Sequence, residues 1–192
     1  MLKLFLSMTL EEIMSKLGEL SLKGMDFGPE RTRSILDKLG SPDKKLKIIH
    51  IAGSNGKGTV AEFTSRILKE AGERAGTYTS PEVYRYFSRF KIDCEDISED
   101  LFVKAFGDSL SVAGNATRFE VETAAALYAF NLAGCRYAVL ECGLGGREDA
   151  TNAVCDNTVA LISSVSLEHT DVLGGDIESI CRHKAGIIKN GP

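Results

Sequence analysis

Apolar positions along the chain alternate between two periods. Leu10, Ile13, Met14, Leu17 and Leu20 recur three and four apart, the spacing of one helical face, and Thr9-Leu10-Glu11-Glu12 opens that run as a capping box. Pro29 fits a first helical position, Ile35, Leu36 and Leu39 give the second helix its apolar side, and Gly40 can end it. At Ile48-Ile49-His50-Ile51 the pattern becomes a β-branched strand run. A glycine-rich turn follows, then a helical pattern to about Gly72 with Val60, Phe63, Ile67, Leu68 and Ala71 expected on one face. Residues 75–79 and 89–92 read as short strands, and Pro81 between them forces a turn by holding Ser80 extended. Ser98 caps a helix carrying Leu101, Phe102, Ala105, Phe106 and Leu110. Residues 119–133 read as an alanine-rich buried helix closed by Gly134. Strands are expected at 137–141 and 158–164, and a helix at 176–185 before a new segment at 186–189. Strands alternating with helices predict an α/β fold, a mostly parallel sheet flanked by helices.

Composition narrows the function classes. The 192 residues are enough for one domain with a core, and 43% apolar with 26% charged residues is a globular balance. A formal net charge of −4 argues against a general nucleic-acid binder. No apolar run is long enough to span a membrane, and residues 1–7 are too short for a signal peptide. Five cysteines without a C-x-x-C pair fit reduced thiols in a cytoplasmic protein better than a disulfide frame or a zinc site.

The chemistry centres on Gly53-Ser54-Asn55-Gly56-Lys57-Gly58-Thr59, set between the strand and the helix. Strand, glycine-rich turn and helix form the geometry of a phosphate-binding loop. Glycines let backbone N–H groups turn toward an anion, the helix N-terminus adds donors, and Lys57 brings a full charge. The generic G-x-x-x-x-G-K-[ST] pattern is met imperfectly: Ile51 stands at the first glycine and Gly58 separates Lys57 from Thr59.

The spelling of this loop resembles the G-T-N-G-K-G-[ST] loop of folylpolyglutamate and dihydrofolate synthases, in the Mur ligase superfamily. Further segments carry the resemblance in the same order over residues 8–192: Tyr78-Thr79-Ser80-Pro81, Phe119-Glu120, the stretch from Val139 to Asn152 with its GLGGREDATN loop, Leu167-Glu168-His169-Thr170, and Lys184-Ala185-Gly186-Ile187-Ile188-Lys189. Departures are Ser54 for threonine, Glu82 for histidine, Ser88 for a frequent glutamate, Glu168 for aspartate and His183 for glutamate.

The resemblance implies a P-loop NTPase-like Mur ligase central domain, and a ligase that joins L-glutamate to dihydropteroate or a folate through an acyl phosphate. ATP and Mg²⁺ are implied, with the phosphates on Gly53 to Thr59 and Lys57 among the catalytic residues. Glu141 ends an apolar strand, where ligands gather in open α/β sheets, and a carboxylate suits Mg²⁺. The resemblance adds Ser80 and His169 to the same ion and gives His169 and Lys184 catalytic roles. It also implies that Lys184 is carbamylated, whereas its position alone reads as a cation complementing a helix C-terminus. Asp26, Phe27 and Gly28 within the segment 24–28, with Thr117, Arg147 and Asp149, align with the pterin site. Phe27 reads equally as stacking platform or core.

Residues 1–192 are expected to be an N-terminal ATP-binding domain cut short, because no closing element follows Ile188 and the resembling ligases carry a second, C-terminal domain. A monomer with small-molecule partners is expected, with no nucleic acid and no membrane. Two other readings stay open: an ATP-binding fragment without ligase activity, and a Mur-type ligase acting on another carboxylate such as a cell-wall precursor.

Overall fold

The computed structural model describes residues 8–22, 24 and 26–189; Met25, inside the expected pterin segment, lies outside them. Six strands form one sheet in the order β4-β3-β2-β5-β1-β6. They are β1 (Lys47–Ala52), β2 (Ala75–Tyr78), β3 (Phe90–Ile92), β4 (Glu95–Asp96), β5 (Tyr137–Glu141) and β6 (Val159–Ile162). β2, β5, β1 and β6 are parallel, while β3 and β4 extend the sheet antiparallel at one edge. The register Ile51↔Glu141 in β1 and β5 brings the phosphate loop and Glu141 out at the same carboxyl end of the sheet.

Among the described residues seven α-helices flank it: α1 (Leu10–Ser21), α2 (Glu30–Lys38), α3 (Lys57–Glu70), α4 (Glu99–Val112), α5 (Arg118–Leu132), α6 (Thr170–Leu173) and α7 (Ile177–Ala185). The capping box of α1 forms as expected, Glu12 N–H donating to Thr9 Oγ1 at 3.2 Å and Thr9 N–H to Glu12 Oε2 at 2.8 Å. The main core lies on the face of α1, α2, α4 and α5, where Leu17, Leu36, Phe106, Leu127 and Phe130 bury against Ile48, Tyr78 and Leu140. α5 is buried on most of its surface, and its alanines let it lie close to the sheet.

The opposite face carries α3, over Ile49, Ile51 and Val139. The buried side of α3 differs from the one expected from the sequence. The buried positions of α3 are Ala61 and Ser65, with Val60 and Leu68 packed beside them, whereas Phe63 and Ile67 are 67% and 68% exposed. Small residues at helical spacing bring the helix near the strands, and Ser65 bonds Thr77 on β2. The expected face, which ran through Phe63 and Ile67, is therefore rotated relative to the buried one. No described helix is long and apolar enough to cross a membrane.

Candidate active site

Between β1 and α3 the chain turns through Gly53 and Gly56, with φ of 154° and 82°. A Cβ on Gly53 would sit 1.9 Å from Ser163 Oγ, so only glycine fits against the loop after β6. That loop holds the turn from outside: Ser54 N–H donates to Ser164 O at 2.9 Å, and Asn55 N–H to Ser164 Oγ at 2.9 Å. Asn55 N–H is therefore already engaged. The N–H groups of residues 56–59 have no backbone or side-chain acceptor among the described residues, and they point off the first turn of α3. Lys57 Nζ donates to Gly53 O at 2.9 Å, which keeps the ammonium over the mouth of the loop. Unpaired donors, a helix N-terminus and one cation make an anion site.

Glu141 closes the cleft from the sheet side. Its Oε2 accepts from Ser80 N–H at 3.1 Å and lies 3.4 Å from the position of a Cβ on Gly58, so a glycine there lets the helix start beside the carboxylate. Burial raises the Glu141 pKa, partly opposed by the Ser80 N–H and the charge of Lys57. A cavity of about 570 Å³ is lined by the phosphate loop, Glu62, Phe63, Thr79 to Val83 and Glu141. Among the described residues no three of His, Cys, Asp and Glu gather to hold a metal ion. Glu141 with the Ser80 hydroxyl still suits an ion that keeps several waters and takes phosphate oxygens, because such a site needs only one or two carboxylates. His169 is not in this set. It is exposed, with a left-handed backbone (φ 44°) at the start of α6.

A second cavity, of about 500 Å³, opens on the other side of Ser80, Pro81 and Glu82, which line both. Asp26, Phe27, Thr117 and Asp149, four of the residues assigned to the pterin from the resemblance, are among its lining. Phe27 is 44% exposed at its wall and is not core. Gly28 N–H donates to Glu148 O at 2.9 Å, tying segment 26–28 to the second glycine-rich loop. Thr117 caps α5 through Glu120, which accepts from Thr117 N–H at 2.7 Å and from its hydroxyl at 2.9 Å. Arg147 is exposed and outside the lining; its N–H donates to His183 O at 2.8 Å.

Asp149 is fully engaged by its own loop. Oδ1 accepts from Thr151 N–H at 2.9 Å and Thr151 Oγ1 at 2.5 Å, and Oδ2 accepts from Leu144 N–H at 2.8 Å, with Gly143 N–H adding to the set. A carboxylate with these donors organises the loop. Thr151 in turn meets His50, whose Nε2 lies 2.8 Å from its hydroxyl oxygen.

Lys184 is completely buried, and its Nζ meets Glu168 Oε1 at 2.5 Å. Burial pushes the Glu168 carboxyl up, but hydrogen bonds from Lys184 and Ser54 and the charges of Lys184 and Lys57 outweigh it, leaving the pKa below its ordinary value. Ser54 thus links this pair to the phosphate loop.

Sequence reasoning missed Arg89 and Glu122. Glu122, buried on α5, accepts from Tyr86 OH at 2.7 Å and Arg118 Nε at 2.6 Å on Oε1, and meets Arg89 Nη2 at 2.8 Å on Oε2. The only available signal was an Arg–Glu spacing of four on α5, which usually marks a solvated pair.

Residues 51–192 match the Mur ligase middle domain family. The chain is 40% identical over 179 residues to the dihydrofolate synthase/folylpolyglutamate synthase of Escherichia coli, covering 92% of this chain and 42% of that protein. It is 36% identical to the Bacillus subtilis protein of the same name, over 88% of this chain and 41% of that one. The chain thus spans about two fifths of the length of these relatives. Among solved structures, E. coli FolC in complex with DHPP and ADP superposes with a TM-score of 0.85 at 39% identity, over 91% of this chain and 43% of that chain. The Yersinia pestis folylpolyglutamate synthase/dihydrofolate synthase complexed with AMPPNP and Mn superposes with a TM-score of 0.84 at 40% identity, over 94% and 44%.

Proposed function

Because the chain belongs to the Mur ligase family by its match over residues 51–192, we propose that it is the N-terminal ATP-binding part of a ligase adding L-glutamate to dihydropteroate or a folate. One observation carries the reading: the cavity beside Phe27 and the cleft at the phosphate loop share Ser80, Pro81 and Glu82 as a common wall. A flat heterocycle in the first cavity brings its carboxylate to that wall, and the γ-phosphate of ATP comes to it from the other side. Relatives with bound DHPP and ADP, and with Mn, AMPPNP and L-glutamate, support the same pairing of ligands.

The chain's own residues then act in order. The N–H groups of residues 56–59 and the Lys57 ammonium hold the β- and γ-phosphates and neutralise charge as the phosphoryl group moves. Glu141 and Ser80 would hold a divalent ion such as Mg²⁺, which when bound would draw charge from the phosphate oxygens. The substrate carboxylate oxygen bonds to the γ-phosphorus as the bond to ADP breaks. The glutamate amine attacks the acyl carbon, loses a proton, and phosphate leaves. Phe27 stacks on the pterin, with Asp26, Gly28 and Thr117 around it. Asp149 acts by shaping the loop and Arg147 from its outer side. His169 completes the metal set only if its loop folds toward Glu141 when nucleotide binds. Lys184 accepts CO₂ only if Glu168 releases it, because a carbamate and a carboxylate at this distance repel. The glutamate-binding wall belongs to a second domain, a reading in keeping with relatives more than twice as long as this chain. The setting is the cytoplasm and the unit a monomer.

The test is isothermal titration of the 192-residue chain. MgATP should bind wild type and fail to bind Lys57→Ala, with dihydropteroate affinity unchanged. Equal MgATP affinity in both would sink the phosphate-loop assignment.

A further inference from the structure

We propose that Arg89, held by Glu122, is the carboxylate-binding residue of the substrate cavity, at the wall that cavity shares with the nucleotide cleft. This rests on the folate-type reading above and specifies which part of the substrate the wall recognises. An acid bound here must bring its anion into a cavity lined by many carboxylates. The basic side chains among its described lining residues are Arg89 and Arg118. Both lean on one buried acid, Arg89 on Oε2 of Glu122 and Arg118 on Oε1. Two guanidinium groups against one carboxylate leave a net positive charge at this point of the wall.

Geometry selects Arg89 over Arg118. Its side chain is 7% exposed, so water screens it little, and it sits next to the shared wall, Nε lying 3.4 Å from Thr79 O. Its described bonds leave from Nε and Nη2, the latter reaching Tyr78 OH at 3.1 Å as well as Glu122, which makes Nη1 the nitrogen available to a ligand. Tyr78 and Phe90 stack at 5.2 Å beside it, and the guanidinium carbon lies 5.6 Å from each ring centre, so the group is fixed before any ligand arrives. Glu82 lies at the same place: its Oε2 is 3.9 Å from Arg89 Nε, too long for a hydrogen bond, on a half-exposed side chain. A substrate carboxylate bonds to Nη1 and competes with Glu82 for the charge of the guanidinium, and Glu82 turns to solvent.

The experiment uses the 192-residue chain without nucleotide or divalent metal, so that protein groups alone read the anion. Affinities are measured for dihydropteroate and for its primary carboxamide, which keeps the pterin and lacks the charge. Wild type should bind the acid about ten- to a hundredfold more tightly, the range for a hydrogen bond to a charged group. Arg89→Gln should remove that preference and leave the carboxamide affinity within about twofold, and Arg89→Lys should restore part of it. Glu82→Gln, an exposed change that leaves the core untouched, should raise acid affinity and not carboxamide affinity. Equal binding of acid and carboxamide by wild type overturns the proposal, as does an acid preference that survives in Arg89→Gln or falls in Glu82→Gln. If wild type binds neither compound, the folate-type reading itself fails and takes this assignment with it.

Discussion

Replacing His50 by glutamine should flatten the acid limb of the chain's stability curve. His50 is fully buried in β1, and burial together with the charge of Lys189 pulls its pKa from 6.5 down to about 3. Its neighbours fix the tautomer. Thr151 gives its hydroxyl proton to Asp149 at 2.5 Å, so at 2.8 Å the imidazole must donate to Thr151. The proton sits on Nε2, and Nδ1 is a buried acceptor without a partner among the described residues. No second proton can enter without charging the core. Between these two pKa values the unfolded chain binds a proton that the folded chain refuses. Stability is therefore unaffected by His50 above the unfolded pKa and falls as pH drops toward the folded one. Each pKa unit corresponds to about 1.4 kcal/mol, so at about pH 5, some 1.5 units below the unfolded value, the loss is about 2 kcal/mol. Glutamine can still donate to Thr151 and does not titrate. Urea unfolding of both proteins at about pH 7.5 and about pH 5 gives the double difference. Wild type should lose about 2 kcal/mol more than His50→Gln. Parallel losses would refute the neutral, fixed imidazole.

Three further outcomes follow from the site and the core. Glu141→Gln should weaken MgATP more than metal-free ATP in calorimetric titrations; equal losses would remove Glu141 from the metal. In ¹³C-bicarbonate, NMR should show a carbamate on Lys184 only when Glu168→Gln frees the amine, and a wild-type carbamate signal would show that the ion pair opens readily. Gly76→Ala would put a Cβ 2.1 Å from Phe130 Cγ in the closed core, and should cost about 1–3 kcal/mol or more by denaturant unfolding.

Much of this architecture was legible because local signals and global fold agree. The Thr9–Glu12 box, the Ser98 cap and the strand-to-helix turn at Gly53–Thr59 each act within a few residues, and a sequence displays such signals directly. The α/β class followed from alternation alone. What stayed hidden depends on pairing across the chain. β4 is two residues long and exists through its ladder to β3. The apolar side of α3 was misjudged because Ala61 and Ser65 earn burial by their smallness. Arg89 and Glu122 stand 33 positions apart, and only the packing of the segment after Pro81 on α5 makes them a pair. His169 and Arg147 came from resemblance rather than physics, and the fold leaves both exposed and outside the lining of the two cavities.

The most direct test is glutamate addition itself. A protein carrying this chain at the full length of its relatives is incubated with MgATP, L-glutamate and dihydropteroate or a reduced folate, and products are read by mass spectrometry beside the 192-residue chain. The extended protein should yield product heavier by one glutamyl residue. The short chain should yield none, because an acyl phosphate at the Ser80–Glu82 wall lies open to water without a second domain. A well-folded extended protein that leaves every pterin substrate unchanged would contradict the account, and so would robust addition by the 192 residues alone.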